Sequence, residues 1–174
     1  NKNKGLIKMA INNRLFTLVT FLIFFTAANN FAQEMAIPAN VQANLFKKIF
    51  SFNKTLVSKG NIEVAVLSGS GSGDVMVAAF KDVGVNAKAV SGDQVPAGVS
   101  VVYLMPGVAP QKQQYASKGV LSICGSSINV EDGKISIGLG LESGKPKIIV
   151  HMGQLKAEGH ELSTDVLKIA YVIK

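Results

Sequence analysis

Tryptophan is absent from this 174-residue chain, cysteine occurs once, histidine twice, and aromatic residues make up 7% of the total. The single cysteine, Cys124, cannot close an internal disulfide, so packing alone has to hold the fold. With so few aromatics, the core falls to Val, Ile, Leu, Ala and Phe. Cys124 ends the run Leu121-Ser122-Ile123 and has no basic residue or His beside it. It reads as a small buried apolar residue rather than a reactive thiol or an intermolecular bridge. His151 and His160 lack an HxxxH spacing or a cysteine partner, which argues against a metal site. His151 follows an apolar strand and is expected to cap the helix after it. Glu131 and Asp132 are adjacent at a turn rather than a facing acid/base pair, and no Ser/His/Asp grouping is readable. The residues therefore point away from an enzyme.

Acidic residues are also missing from the first 33 positions. Lys2, Lys4, Lys8 and Arg14 lead into the apolar and threonine-containing run LFTLVTFLIFFTAA, from Leu15 to Ala28, followed by the small polar exit Ala27-Ala28-Asn29-Asn30-Phe31-Ala32-Gln33. This is the order of a secretory signal. The run falls short of the roughly 20 apolar residues of a spanning helix, and no second run of that length follows. The expectation is a signal at residues 1–32, with Met9 as a plausible start, cleaved near Ala32 to release a periplasmic domain at 33–174. An uncleaved anchor is the alternative. Four of the 18 basic residues lie in the leader, so 14 basic and 11 acidic residues remain, a net +3. That balance does not call for nucleic acid. About 140 residues suit one domain with its own core.

Within that domain, Ile37-Pro38-Ala39-Asn40 opens a helix, with Asn40 as a possible cap. Val41, Leu45, Ile49, Phe52 and Leu56 then form one continuous helical stripe, ended by Ser58-Lys59-Gly60. Lys47, Lys48, Lys54 and Lys59 read as its solvated face, or alternatively as a membrane-binding surface. Strands are expected over 62–67, 87–90, 99–104 and 120–123, with helices over 74–83 (Val75, Ala78 and Ala79 on its apolar side) and 110–117. Glu131-Asp132-Gly133-Lys134 is a hairpin turn signal. Ile135, Ile137, Leu139 and Leu141 alternate with small or polar residues, a strand with one wet face, and Ser143-Gly144 turns the chain again into a strand at Lys147 to Val150. A short helix spans 153–158. Ser163 caps a final helix with Asp165 in its first turn and Val166, Ile169, Ala170 and Ile173 as its buried stripe. The pattern predicts an α/β fold, a single compact sandwich, its mostly parallel sheet carrying a C-terminal antiparallel hairpin and flanking helices.

The Gly-rich run Ser68-Gly69-Ser70-Gly71-Ser72-Gly73, between a strand and a helix, is the most tempting motif, with Asp93 about 20 residues on. Its GxGxG spacing, the lack of a P-loop Lys-Ser/Thr, and Asp74 at the helix start favour a plain connection over a phosphate site. The Gly-Ser alternation is likewise not a nucleophile elbow, which needs Ser at its centre. In open α/β sheets, ligands sit beyond the strand carboxyl ends. Here that means Ser68 to Gly73, Pro106-Gly107 after Met105, and Gly125-Ser126 after Cys124.

Several segments carry a resemblance when taken in order: Pro38 to Leu56 (PANVQANLFKKIFSFNKTL), VVYL at 101–104, VLSICG at 120–125, the Glu131-Asp132-Gly133-Lys134 turn, and the tail KPKIIVHMGQLKAEGHELSTDVLKIAYVIK. They resemble the YfiR-like family of small periplasmic proteins over nearly all of the mature chain. The family's tail has a Ser-Ser pair and a Leu-Leu helix. Here Ser163-Thr164 and Val166-Leu167 take those places, and His151 stands where Asn is usual. The resemblance implies a compact, often dimeric α/β sandwich. It also implies a regulator that restrains a membrane-bound diguanylate cyclase by binding its periplasmic domain. The partner can differ between branches, a sensor kinase being the other candidate. Relatives use redox-active cysteine pairs, and Cys124 alone excludes an intramolecular switch. The first expectation is thus a non-enzymatic regulator in cyclic-di-GMP signalling, without a cofactor or metal. The alternative is a periplasmic small-molecule-binding module with its cleft at the strand carboxyl ends.

Overall fold

A computed structural model describes residues 37–69 and 73–174. The leader and Ser70, Gly71 and Ser72 lie outside the described residues. After Pro38 come α1 (Ala39–Ser51) and α2 (Lys54–Lys59), then β1 (Glu63–Ser68), α3 (Asp74–Asp82), β2 (Asn86–Ser91) and β3 (Val101–Leu104). The chain continues through α4 (Lys112–Lys118), β4 (Leu121–Cys124), α5 (Ile128–Glu131), β5 (Ile137–Glu142) and β6 (Lys145–His151), and closes with α6 (Met152–Ala157), α7 (Thr164–Ile169) and β7 (Tyr171–Ile173). The strands form one sheet in the order β2-β1-β3-β4-β5-β6-β7. Neighbouring strands are parallel except for β5 and β6. The predicted α/β class, mostly parallel sheet, C-terminal antiparallel pair and flanking helices are all present.

Apolar runs buried on both faces explain the central strands. Alternate residues of β1 and β3 enter two different cores. Val64, Val66, Val101 and Tyr103 pack with Phe46, Phe50, Met76 and Phe80 of α1 and α3. Ala65, Leu67, Val102 and Leu104 pack with Val95, Val99 and Tyr115 on the opposite face. Each buried Val, Leu or Phe contributes about 1.5–3 kcal/mol. Tyr103 meets both Phe46 and Phe80 edge to face, its ring centred 6.0 Å from Phe46 and 5.8 Å from Phe80.

The opening helix differs from its expected stripe. Its buried residues are Gln42, Ala43, Phe46, Ile49 and Phe50, so the centre of the core-facing side is shifted and Val41 and Leu45 pack half-buried at its margin. Pro38, not Asn40, occupies the cap position. The helix also breaks at Asn53, whose Oδ1 accepts the Leu56 N–H at 3.1 Å and so caps α2. The 160–163 segment crosses this joint, with Lys54 N–H on the Glu161 carbonyl and Ser163 N–H on the Phe52 carbonyl, both at 2.9 Å. In α3, Met76, Val77, Ala79 and Phe80 are buried, whereas Val75 and Ala78 face solvent.

The C-terminal half holds three corrections. Asp132-Gly133 ends α5 rather than opening a hairpin, and the β5–β6 hairpin turns at Ser143-Gly144, as expected. Both of those residues have positive φ, as a tight primed turn requires. The predicted wet face is covered over its first half, where Ser136 and Gly138 are buried, while Gly140 is half-buried and Glu142 exposed. A Cβ at Gly138 would lie 2.3 Å from the Ser126 carbonyl oxygen, so only glycine lets the α5 loop approach. The last helix stops at Ile169, and Tyr171, Val172 and Ile173 pair in parallel with Ile149, Val150 and His151. Ser163 stands at the cap of α7 but makes no side-chain capping bond.

Candidate functional site

Register brings three loops to one end of the sheet. Leu67 is opposite Leu104, which is opposite Cys124, and the Met105 N–H donates to the Leu67 carbonyl at 3.0 Å. The loops after β1, β3 and β4 therefore share the carboxyl edge. Strand order reverses between β1 and β3, the position where doubly wound sheets open a crevice.

The predicted site residues line this edge unevenly. Ser68 is buried, and its Oγ donates to the Val90 carbonyl at 3.5 Å. Gly69 is exposed, and Ser70, Gly71 and Ser72 lie outside the described residues. Gly73 precedes α3 against β1, where a Cβ would sit 2.8 Å from Val66 Cγ1. Pro106 and Gly107 are exposed in the turn closed by Val108 N–H on the Met105 carbonyl. Gly125 and Ser126 are half-buried. The Ser126 carbonyl accepts the Cys124 thiol at 3.2 Å, and Cys124 itself is buried as expected.

The β4 side of the edge is already filled from within. Gln42 of α1 is fully buried there. Its Nε2 donates to the Ile37 carbonyl at 2.7 Å, and its Oε1 accepts the Tyr103 hydroxyl at 2.7 Å. A Cβ on Gly125 would meet Gln42 Oε1 at 2.3 Å. Burial, with Cys124 adding to it, pushes the Tyr103 hydroxyl well above the usual tyrosine range. Beyond β2, Asp93 accepts the Gln111 amide at 2.6 Å, which ties the β2 loop to the start of α4 rather than presenting a carboxylate to a ribose.

The histidines take structural places. His151 Nδ1 accepts the Gln154 N–H at 3.1 Å, the expected cap of α6. His160 is buried beside Asn53, with Nδ1 3.3 Å from Asn53 Oδ1. Burial first, then the Lys59 charge, lowers its pKa to about 4. Among the described residues, no group of His, Cys, Asp and Glu could hold a metal ion, and no helix is long and apolar enough to cross a membrane.

One heavily bonded buried side chain escaped the sequence reading. Glu158, 1% exposed, accepts four hydrogen bonds. Oε2 takes the Ser122 N–H at 3.0 Å and the Ser136 hydroxyl at 2.5 Å, and Oε1 takes the Ser122 hydroxyl at 2.5 Å and the Gln154 amide at 3.0 Å. Desolvation raises its pKa and these donors oppose that rise. The signal was a serine at a core position in each of two apolar strand segments, LSIC and ISIG. A buried hydroxyl needs a partner.

At the far side of the sheet, an open groove of about 570 Å³ lies along β5, β6, β7 and α5. Ile149 and Gly140 form part of its floor, with Leu141 (49% exposed) and Tyr171 (52% exposed) among its walls. Lys147 sits 5.1 Å over the Tyr171 ring and pairs with Glu142 at 2.5 Å. Tyr171 belongs to β7, which ends the sheet. No protein-family model matches the chain, and no curated protein matches it.

Proposed function

We propose that this chain is an exported, non-enzymatic regulator. It docks on the periplasmic part of a membrane signalling protein, a diguanylate cyclase or sensor kinase, and restrains its output. The observation that carries the reading is the groove at the β5–β7 end, where Tyr171 and Leu141 expose apolar surface beside a terminal strand. Large exposed apolar side chains grouped at a sheet edge suit protein contact. The export-type leader, the absence of a readable catalytic grouping and the resemblance to the YfiR-like family support the same reading. Restraint requires tighter binding to the inactive state of the partner than to the active one.

The test is cellular output. Deleting the gene should raise cyclic-di-GMP if the partner is a cyclase, or the phosphorylation of its response regulator if it is a kinase. Re-expression of the wild-type chain should reverse the rise, and Leu141→Asp/Tyr171→Asp, made at exposed positions, should not. Unchanged output in the deletion strain contradicts the proposal.

A second reading, a small-molecule-binding module, is favoured by the strand-order reversal between β1 and β3. Its cleft would be confined to the β1 and β3 loops, because Gln42 fills the β4 side. Thermal stabilisation by one member of a metabolite panel supports it, and a flat response counts against it.

A further inference from the structure

We infer that a pocket at the opposite, amino end of the sheet binds a small amphipathic anion, an alkyl carboxylate whose head group sits on Lys47. The pocket holds about 430 Å³ between the ends of α1 and α2 and the starts of β1 and β2. That lies within the range of small-molecule sites, roughly 300–1,000 Å³. Its apolar lining comes from Phe50, Leu56, Val57, Ile62 and Val85, and Val57 is 58% exposed, apolar surface that a ligand would cover.

The sign of the ligand follows from the polar lining. Lys47 is the charged residue there, joined by the neutral side chains of Ser51, Asn61 and Asn86, and no carboxylate lines the pocket. Glu63, next in the chain to Ile62, is answered by Lys88 at 2.6 Å. Lys47 Nζ donates to the Val83 carbonyl at 2.5 Å, which holds the ammonium at the exposed rim of the pocket. An ammonium has three donors, so two remain for a ligand. The carbonyl ends of α1, α2 and α3 gather nearby and carry partial negative charge, about half a unit each at most. They oppose an anion; Lys47, seated on the carbonyl that caps α3, offsets part of that charge, and a carboxylate gains a charge-assisted hydrogen bond from it. The Asn61 and Asn86 amides, 3.4 Å apart, offer further polar contacts at the rim. This pocket is separate from the carboxyl-edge crevice and from the β5–β7 groove, and the inference does not depend on the proposed regulator role.

The experiment is calorimetric titration of the full domain with octanoate below its micellar range, and with 1-octanol as the uncharged match. Octanoate should bind at one site, about tenfold more tightly than octanol, the worth of one charge-assisted bond. Lys47→Met should bring octanoate down to the affinity of octanol, and Lys48→Met, outside the pocket, should leave it unchanged. Equal affinity for acid and alcohol in the wild-type protein overturns the inference without relying on any variant. So does the absence of binding at millimolar octanoate. Binding to phosphatidylglycerol vesicles without binding of monomeric octanoate would assign the basic face of α1 to a membrane surface instead.

Discussion

Two buried titratable side chains, Glu158 and His160, pull the stability of this protein in opposite directions with pH. Burial raises the Glu158 pKa, so the folded state holds its proton more tightly than the unfolded chain does. Its contribution therefore falls as pH rises through the folded value, above the ordinary carboxylate range. His160 is the reverse. Its pKa drops from 6.5 unfolded to about 4 folded, so its full contribution is present above pH 6.5 and is lost between 6.5 and 4. The loss amounts to at most about 3 kcal/mol. Denaturant midpoints measured from pH 8 to 4 should fall less steeply on the acid side in His160→Gln, and Glu158→Gln should lose the gain on mild acidification. At pH 7, Glu158→Leu strands the Ser122 N–H, two hydroxyls and the Gln154 amide, and should cost about 3 kcal/mol or more. Glu158→Gln, whose amide still accepts and whose serine neighbours can turn, should cost about 1–2 kcal/mol. Equal losses in the two variants would mean that the carboxylate does not organise these donors.

At the scale of the element, close backbone approach decides what a glycine tolerates. Gly138→Ala pushes a Cβ to 2.3 Å from the Ser126 carbonyl oxygen, a backbone atom that cannot rotate away. It should cost at least about 2 kcal/mol in an unfolding titration. Gly140→Ala on the same strand meets the tip of Ile149 at 3.0 Å, which can shift, and should cost clearly less. Asn53→Ala removes the α2 cap and should cost about 1 kcal/mol. These positions also mark where the sequence was legible. The apolar runs VAVL and VVYL fixed the central strands because burial on both faces leaves no periodicity to misread. The Ser143-Gly144 turn, the His151 cap and the Gly60 stop were local chemistry, read from neighbours in the chain. What sequence could not resolve depended on distant partners. The helix break at Asn53 is set by residues 160–163, and β7 becomes a strand because β6 offers an unpaired edge to YVI. The half-filled crevice is set by Gln42, which reads as one polar residue on a helix until Tyr103 and Gly125 are beside it. Of the predicted ligand loops, topology brought β1, β3 and β4 to one edge, and side-chain packing closed the β4 part.

For the molecule as a whole, three surfaces divide the remaining roles: the carboxyl-edge crevice, the amino-end pocket, and the β5–β7 groove. The two edge strands differ in character. β2 exposes Asn86, Lys88 and Ser91, polar residues of the kind that discourage edge association, whereas β7 exposes Tyr171 next to Ile169, which is 69% exposed. A partner that binds by apolar contact is therefore expected at β7. The most direct measurement is photo-crosslinking in intact cells from a photoreactive residue placed at Tyr171, with a matched residue at Lys88 on the opposite edge as control. The account predicts that position 171, and not position 88, captures an inner-membrane protein bearing a cytoplasmic cyclase or kinase domain. Capture of nothing but further copies of this chain, or equal capture from both edges, would contradict it.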